Sequence, residues 1–158
     1  MTHGEGFALG AYENVVVSVW RCAVTEARLC DVSDLSDELS DAYPEGLGSL
    51  TLLGRGVMMS VTVAVRRGAR EFIEKSQMHF RCRALVIEGE GFYASTIRSL
   101  LIGIGYIHQR QAQLVASVED AAQHLGRGLE RSDAWRAELV AATRGFMAEA
   151  TPPDGTSR

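Results

Sequence analysis

The chain has 158 residues, 46% of them hydrophobic, and a formal net charge of −4, which suits one domain with a sizeable core and is short for two. No basic surface invites nucleic acid or anionic lipid, and no apolar run approaches the ~18 residues of a membrane span. Basic side chains are almost all arginine, with Lys75 the only lysine, and Met1 to Gly10 lacks the basic start and apolar core of a signal peptide, so a cytoplasmic location is expected.

In chain order, residues 1–11 are expected to be flexible and residues 12–149 to form the domain. Asn14 to Trp20, with its valines, suits a pleated strand. Thr25 is positioned as the N-cap of a helix whose apolar face is Leu29, Val32, Leu35 and Leu39, and which ends near Tyr43, before Pro44. A turn over Pro44 to Gly48 leads to a strand at Leu50 to Leu53. The spacing of Val61, Val65, Ala69, Phe72 and Ile73 predicts a helix from about Val61 to Gln77, with Gly68 as its weak point. The β-branched run from Val61 to Val65 also fits a strand, and over residues 57–65 both alternatives stand.

The region from Arg83 to Leu125 is the most legible. Ala84-Leu85-Val86-Ile87 has the profile of a strand covered on both faces. Gly89-Glu90-Gly91 punctuates it, and Ile97, Leu100, Leu101, Ile104 and Ile107 recur at helical spacing. Gln113 to Ala116 is a further strand. Ser117 then opens a helix as N-cap, with Asp120 where a capping box usually has Glu or Gln. Ser132 to Ala148 reads as an accessory C-terminal helix, within 132–149, carrying Trp135, Leu139, Val140, Phe146 and Met147. Residues 150–158, with two prolines, read as a disordered tail. The expected class is α/β: β-α-β-α-β-α-β-α with a mainly parallel four-stranded sheet and right-handed crossovers, plus the extra helix.

The opening Asn14-Val15-Val16-Val17-Ser18-Val19-Trp20, the helix–strand–helix that follows, Ala84 to Gly89, and Ser117-Val118-Glu119-Asp120-Ala121-Ala122 together resemble the STAS-like fold. The relatives implied are small bacterial proteins of the SpoIIAA-like and STAS/SEC14-like group, over roughly Tyr12 to Leu125. Anti-sigma-factor antagonists of that class carry an Asp-Ser-Ser-Gly-type phosphorylation site at a helix start. Neither Gly54 to Ser60 nor Glu90 to Thr96 matches it. What the resemblance implies is therefore the fold and a regulatory or binding role, not the phosphoswitch.

Two regions are candidates for function. The turn and helix start formed by Glu88, Gly89, Glu90, Gly91, Ser95, Thr96 and Arg98 lie where open α/β sheets gather ligands, although two carboxylates oppose a phosphate there. Asp31, Asp34, Asp37, Glu38 and Asp41 form an acidic helix face suited to a basic partner. Trp135 and Phe146 add apolar surface for that partner or for a twofold dimer. Arg55, Arg66, Arg67, Arg70, Lys75, Arg81 and Arg83 form a basic middle expected to complement the acidic helix, and it lacks the interleaved aromatics of a nucleic-acid site. Cys22, Cys30 and Cys82 make no C-x-x-C and read as packing residues, with no metal site and no cofactor motif. His3, His79, His108 and His124 are scattered, and no local triad pattern names a reaction. The expectation is a non-enzymatic regulatory or protein-interaction domain that self-associates. The alternative is a binder of a lipid, nucleotide or acid, or a cryptic enzyme, using the strand ends near residues 88–98.

Overall fold

Alternation along the valine-rich segment decides which layer each side chain joins. In the computed structural model, which describes residues 2–54, 63–76, 78–89, 92–103 and 112–150, Val15, Val17 and Val19 point to one face of a sheet, and Val16, Ser18 and Trp20 to the other. The strands are β1 (Thr2–Gly4), β2 (Phe7–Tyr12), β3 (Val15–Trp20), β4 (Leu47–Leu53), β5 (Phe80–Ile87) and β6 (Ala112–Val115). They form one six-stranded sheet in chain order. β1 to β3 pair antiparallel, and β3 to β6 pair parallel. The helices are α1 (Glu26–Ala42), α2 (Val63–Ser76), α3 (Phe92–Gly103), α4 (Val118–Gly128) and α5 (Asp133–Glu149).

Right-handed crossovers between strands that advance in one direction put their helices on one face. So α1, α2 and α3 cover the face that bears Val16, Trp20, Leu47, Leu53 and Leu85. The opposite face is covered by α4 and α5, whose Val118, Ala121, Ala122, Leu125, Leu139 and Phe146 meet Val17, Leu50, Leu52 and Ala84. Caps start these helices, at Thr25 and Ser117 as their sequences predict and also at Ser132. Thr25 accepts from the Arg28 amide, Ser117 from that of Asp120, and Ser132 from that of Trp135.

Three expectations are corrected. The sheet is six-stranded and mixed, because the first strand pairs with an N-terminal hairpin. Thr2–Gly4 and Phe7–Tyr12, within the stretch 1–11 expected to be flexible, are strands. Phe7, Ala8 and Leu9 are each no more than 2% exposed, and Phe7 packs on Trp20 at 4.5 Å. Trp135 and Phe146, expected on a partner face, are 6% and 8% exposed and belong to the core. Over residues 63–65 the helical alternative holds. Residues 55–62, 90–91 and 104–111 lie outside the described residues, and with them Arg55, Val61, Glu90, Gly91, Ile104, Ile107 and His108; so does the tail from 151 to 158.

The β2–β3 turn is tied to α5 by tertiary contacts. Glu13 takes a left-handed conformation (φ 47°) that a residue with a Cβ adopts at some cost. Its carboxylate accepts from Trp135 Nε1 at 3.0 Å and lies 3.8 Å from Arg131, which also donates to Asn14. Beside it the Tyr12 hydroxyl donates to Glu138 at 2.5 Å. That bond, with desolvation and the nearby carboxylates of Glu138 and Glu13, pushes the Tyr12 pKa up from 10.0 to about 12. The folded state holds the phenolic proton more tightly than the unfolded chain. The stabilisation is therefore complete below pH 10 and is lost as pH rises through about 12. Burial pushes the Cys82 thiol up from 9.0 to about 11, which adds a loss of the same sign starting above pH 9. Denaturation midpoints measured from pH 9 to 12 should fall, and Tyr12→Phe should flatten the part above pH 10 while leaving the cysteine part. An unchanged alkaline slope in Tyr12→Phe would remove Tyr12 from this account.

Candidate functional site

The α1–α3 face of the sheet is apolar except at its centre. Alternation brings Ser18 of β3, and Ser49 and Thr51 of β4, onto the same face as Trp20, Leu53 and Leu85. Above them the facing residue of α2 is Ala69. Small side chains thus oppose small side chains, and the layers leave a half-enclosed pocket of about 90 Å³ between them. Its walls are supplied by Leu29 and Val32 of α1, Phe72 and Ile73 of α2, and Leu101 of α3.

The hydroxyls on the floor differ in their bonding. Ser18 donates to Thr51 across the β3–β4 pair at 3.2 Å, which uses one of the two hydroxyl protons of that pair. Ser49 is 9% exposed and lines the pocket, and no hydrogen bond joins its hydroxyl to a described residue. None of the described residues lining the pocket is ionisable. Arg83 pairs in register with Ser49 and is 2% exposed, its guanidinium over the Phe80 ring at 4.6 Å, but it does not line the pocket. A pairing irregularity at Leu47/Gly48 inserts Arg81 as an extra residue, which lets Phe80 and Arg83 share a face.

None of the described site residues predicted from sequence lines this pocket. Glu88 and Gly89 follow β5 directly, and Gly89 has a φ of 116°, which requires glycine at that exit. Ser95, Thr96 and Arg98 lie exposed on α3, and Ser99 bonds back to the Ser95 carbonyl at 3.0 Å. The same strand–helix unit supplies Leu85 and Leu101 to the pocket wall. On α1, Asp34, Asp37, Glu38 and Asp41 are exposed and Asp31 is half-buried. Asp37 lies 3.3 Å from His79. In the basic middle, Arg67 pairs with Glu71 on its own helix at 3.9 Å, and Arg81 with Glu130 at 3.6 Å. Cys82 is buried, Cys30 exposed, and the half-buried Cys22 sulfur contacts the Arg28 guanidinium. Among the described residues no group of three or more His, Cys, Asp or Glu could hold a metal ion. Nor is any of their helices long and apolar enough to cross a membrane.

Ser18, Ser49 and Thr51 escape the sequence analysis, although a signal is present. They are hydroxyl residues inside the apolar runs Val-Val-Val-Ser-Val-Trp and Leu-Gly-Ser-Leu-Thr-Leu-Leu. Only the register of β3 on β4 shows that all three share a face. The fold and site together define a mixed α/β sheet with two helical layers and a hydroxyl-floored apolar pocket under one of them. Among known proteins, no family model, curated sequence or solved structure matches the chain.

Proposed function

We propose that this protein is a non-catalytic binding domain that takes a small ligand into the pocket beneath α1, α2 and α3. The single observation that carries the reading is the pocket: apolar walls around a few placed hydroxyls, between the sheet and its crossover helices. Ligand sites are commonly of this composition. The lack of any ionisable lining residue among those described favours binding over proton-transfer chemistry. The resemblance to STAS-like domains, which implies a regulatory or binding role, points the same way. A regulatory role would have a natural element in α1, since this helix both walls the pocket with Leu29 and Val32 and presents the exposed carboxylates of Asp34, Asp37, Glu38 and Asp41. A protein partner reading that face would be sensitive to occupancy of the pocket beneath it.

Thermal unfolding in the presence of a panel of neutral and charged small molecules tests the reading. A ligand at a hundred times its Kd contributes ~2.7 kcal/mol, which for a domain of this size raises Tm by about 5–10 °C. At least one compound should do so in the wild type and fail to do so in Ala69→Leu, whose larger side chain fills the pocket. A flat panel, or shifts of equal size in Ala69→Leu, would refute binding in this pocket.

A further inference from the structure

The floor of the pocket narrows the ligand to one chemical class. Resting on the binding reading above, we propose that the ligand is a small uncharged alcohol or phenol, held by its hydroxyl between Ser49 and the Ser18–Thr51 pair, with its apolar body against Phe72, Ile73 and Leu101.

Charge is the first discriminator. The described lining has no cation to meet a carboxylate or phosphate and no anion to meet an amine. An unpaired charge taken out of water into such a lining is strongly disfavoured. Against the described lining, a neutral molecule fits better than a nucleotide or a free acid.

Hydrogen-bond capacity is the second. Ser49, 9% exposed as a residue, lines the pocket, shows no hydrogen bond from its hydroxyl to a described residue, and offers both a donor and acceptors there. The Ser18–Thr51 pair, bonded at 3.2 Å, keeps one hydroxyl proton and spare lone pairs. Ser49 and Thr51 sit two residues apart on β4, roughly 6.6 Å along the strand, so one oxygen lying between them reaches either. A group that donates and accepts through one atom fits this floor better than a carbonyl, which only accepts, or a hydrocarbon, which does neither.

Size is the third. A volume of about 90 Å³ is below the ~150 Å³ of an apolar cavity known to take benzene. The body is thus a short chain or one ring whose outer edge reaches the open side of the pocket.

Phenol, toluene and benzoate have nearly the same shape and separate these requirements. Isothermal titration of the full chain should show phenol binding, toluene binding at least about fivefold more weakly, and no benzoate binding. Ser49→Ala removes only a hydroxyl that no hydrogen bond joins to a described residue and should fold as the wild type does. It should weaken phenol about five- to tenfold and leave toluene unchanged. Thr51→Val should narrow the phenol–toluene gap in the same way. Equal affinities for phenol and toluene, or equal losses of both in Ser49→Ala, would overturn the hydroxyl assignment while leaving a binding pocket in place. Benzoate binding more tightly than phenol would overturn the neutral-ligand assignment alone. No binding of the three probes, with a different compound stabilising the wild type but not Ala69→Leu, would sink the inference and spare the binding reading. Silence in both experiments would sink both.

Discussion

Replacing Trp135 with alanine should lower the stability of the folded chain by about 3–5 kcal/mol. The indole is 6% exposed within the core that α4 and α5 build on the sheet, and its ring lies 5.9 Å from that of Tyr12. Its Nε1 donates to the carboxylate of Glu13, the residue held at positive φ in the β2–β3 turn. Alanine would leave a cavity and remove the donor that steadies that turn. Because both losses are large and local to one layer, the denaturation midpoint should drop while the slope is kept. Had Trp135 been a surface anchor for a partner, the substitution would leave stability within ~0.5 kcal/mol and change association instead. Denaturant unfolding of the two proteins, followed by circular dichroism, separates these outcomes.

The second large effect concerns the N-terminus. Removing residues 1–11 should abolish cooperative folding, because it strips β1 and nearly all of β2 from the sheet. Phe7 and Leu9 are 1% and 2% exposed, and burying two such side chains contributes about 3–6 kcal/mol against a net stability of ~5–15 kcal/mol for an ordinary domain. The deletion also bares the backbone edge of β3 from Val16 to Trp20 and uncovers Trp20, which Phe7 packs against. An exposed apolar edge of this kind aggregates. Phe7→Ala, which keeps the strand, should cost ~3–5 kcal/mol and still unfold cooperatively. A truncated chain that unfolds in one transition near the wild-type midpoint would show the hairpin to be dispensable.

Both segments are buried, yet the sequence placed them outside the core, for physical reasons. Phe-Ala-Leu-Gly-Ala-Tyr is short, and its glycine and alanines carry little strand preference. Its strand character comes from pairing with Val15 to Trp20, and the two-residue Glu13-Asn14 turn has no Asn-Gly or Asp-Gly signal to announce a hairpin. Trp135 is at helical spacing with Leu139 and Phe146, so an apolar face was evident. What covers that face depends on the side of the sheet to which α5 returns. A partner and the chain's own sheet are equivalent candidates until that is known.

Local signals were dependable where the physics is local. The caps at Thr25 and Ser117, the strand at Ala84 to Ile87 and the glycine at position 89 each depend on a few neighbouring residues, and each stands in the structure. By itself the sequence determined an α/β order of strands and helices, since periodicity, caps and turn residues act within a few positions. Tertiary structure alone decided the antiparallel hairpin, the burial of Trp135 and Phe146, and the meeting of Ser18, Ser49 and Thr51 beneath Ala69. Those depend on register and layer assignment. A shift of one residue would turn Ser49 and Thr51 to the opposite layer, and no short window of sequence contains that information.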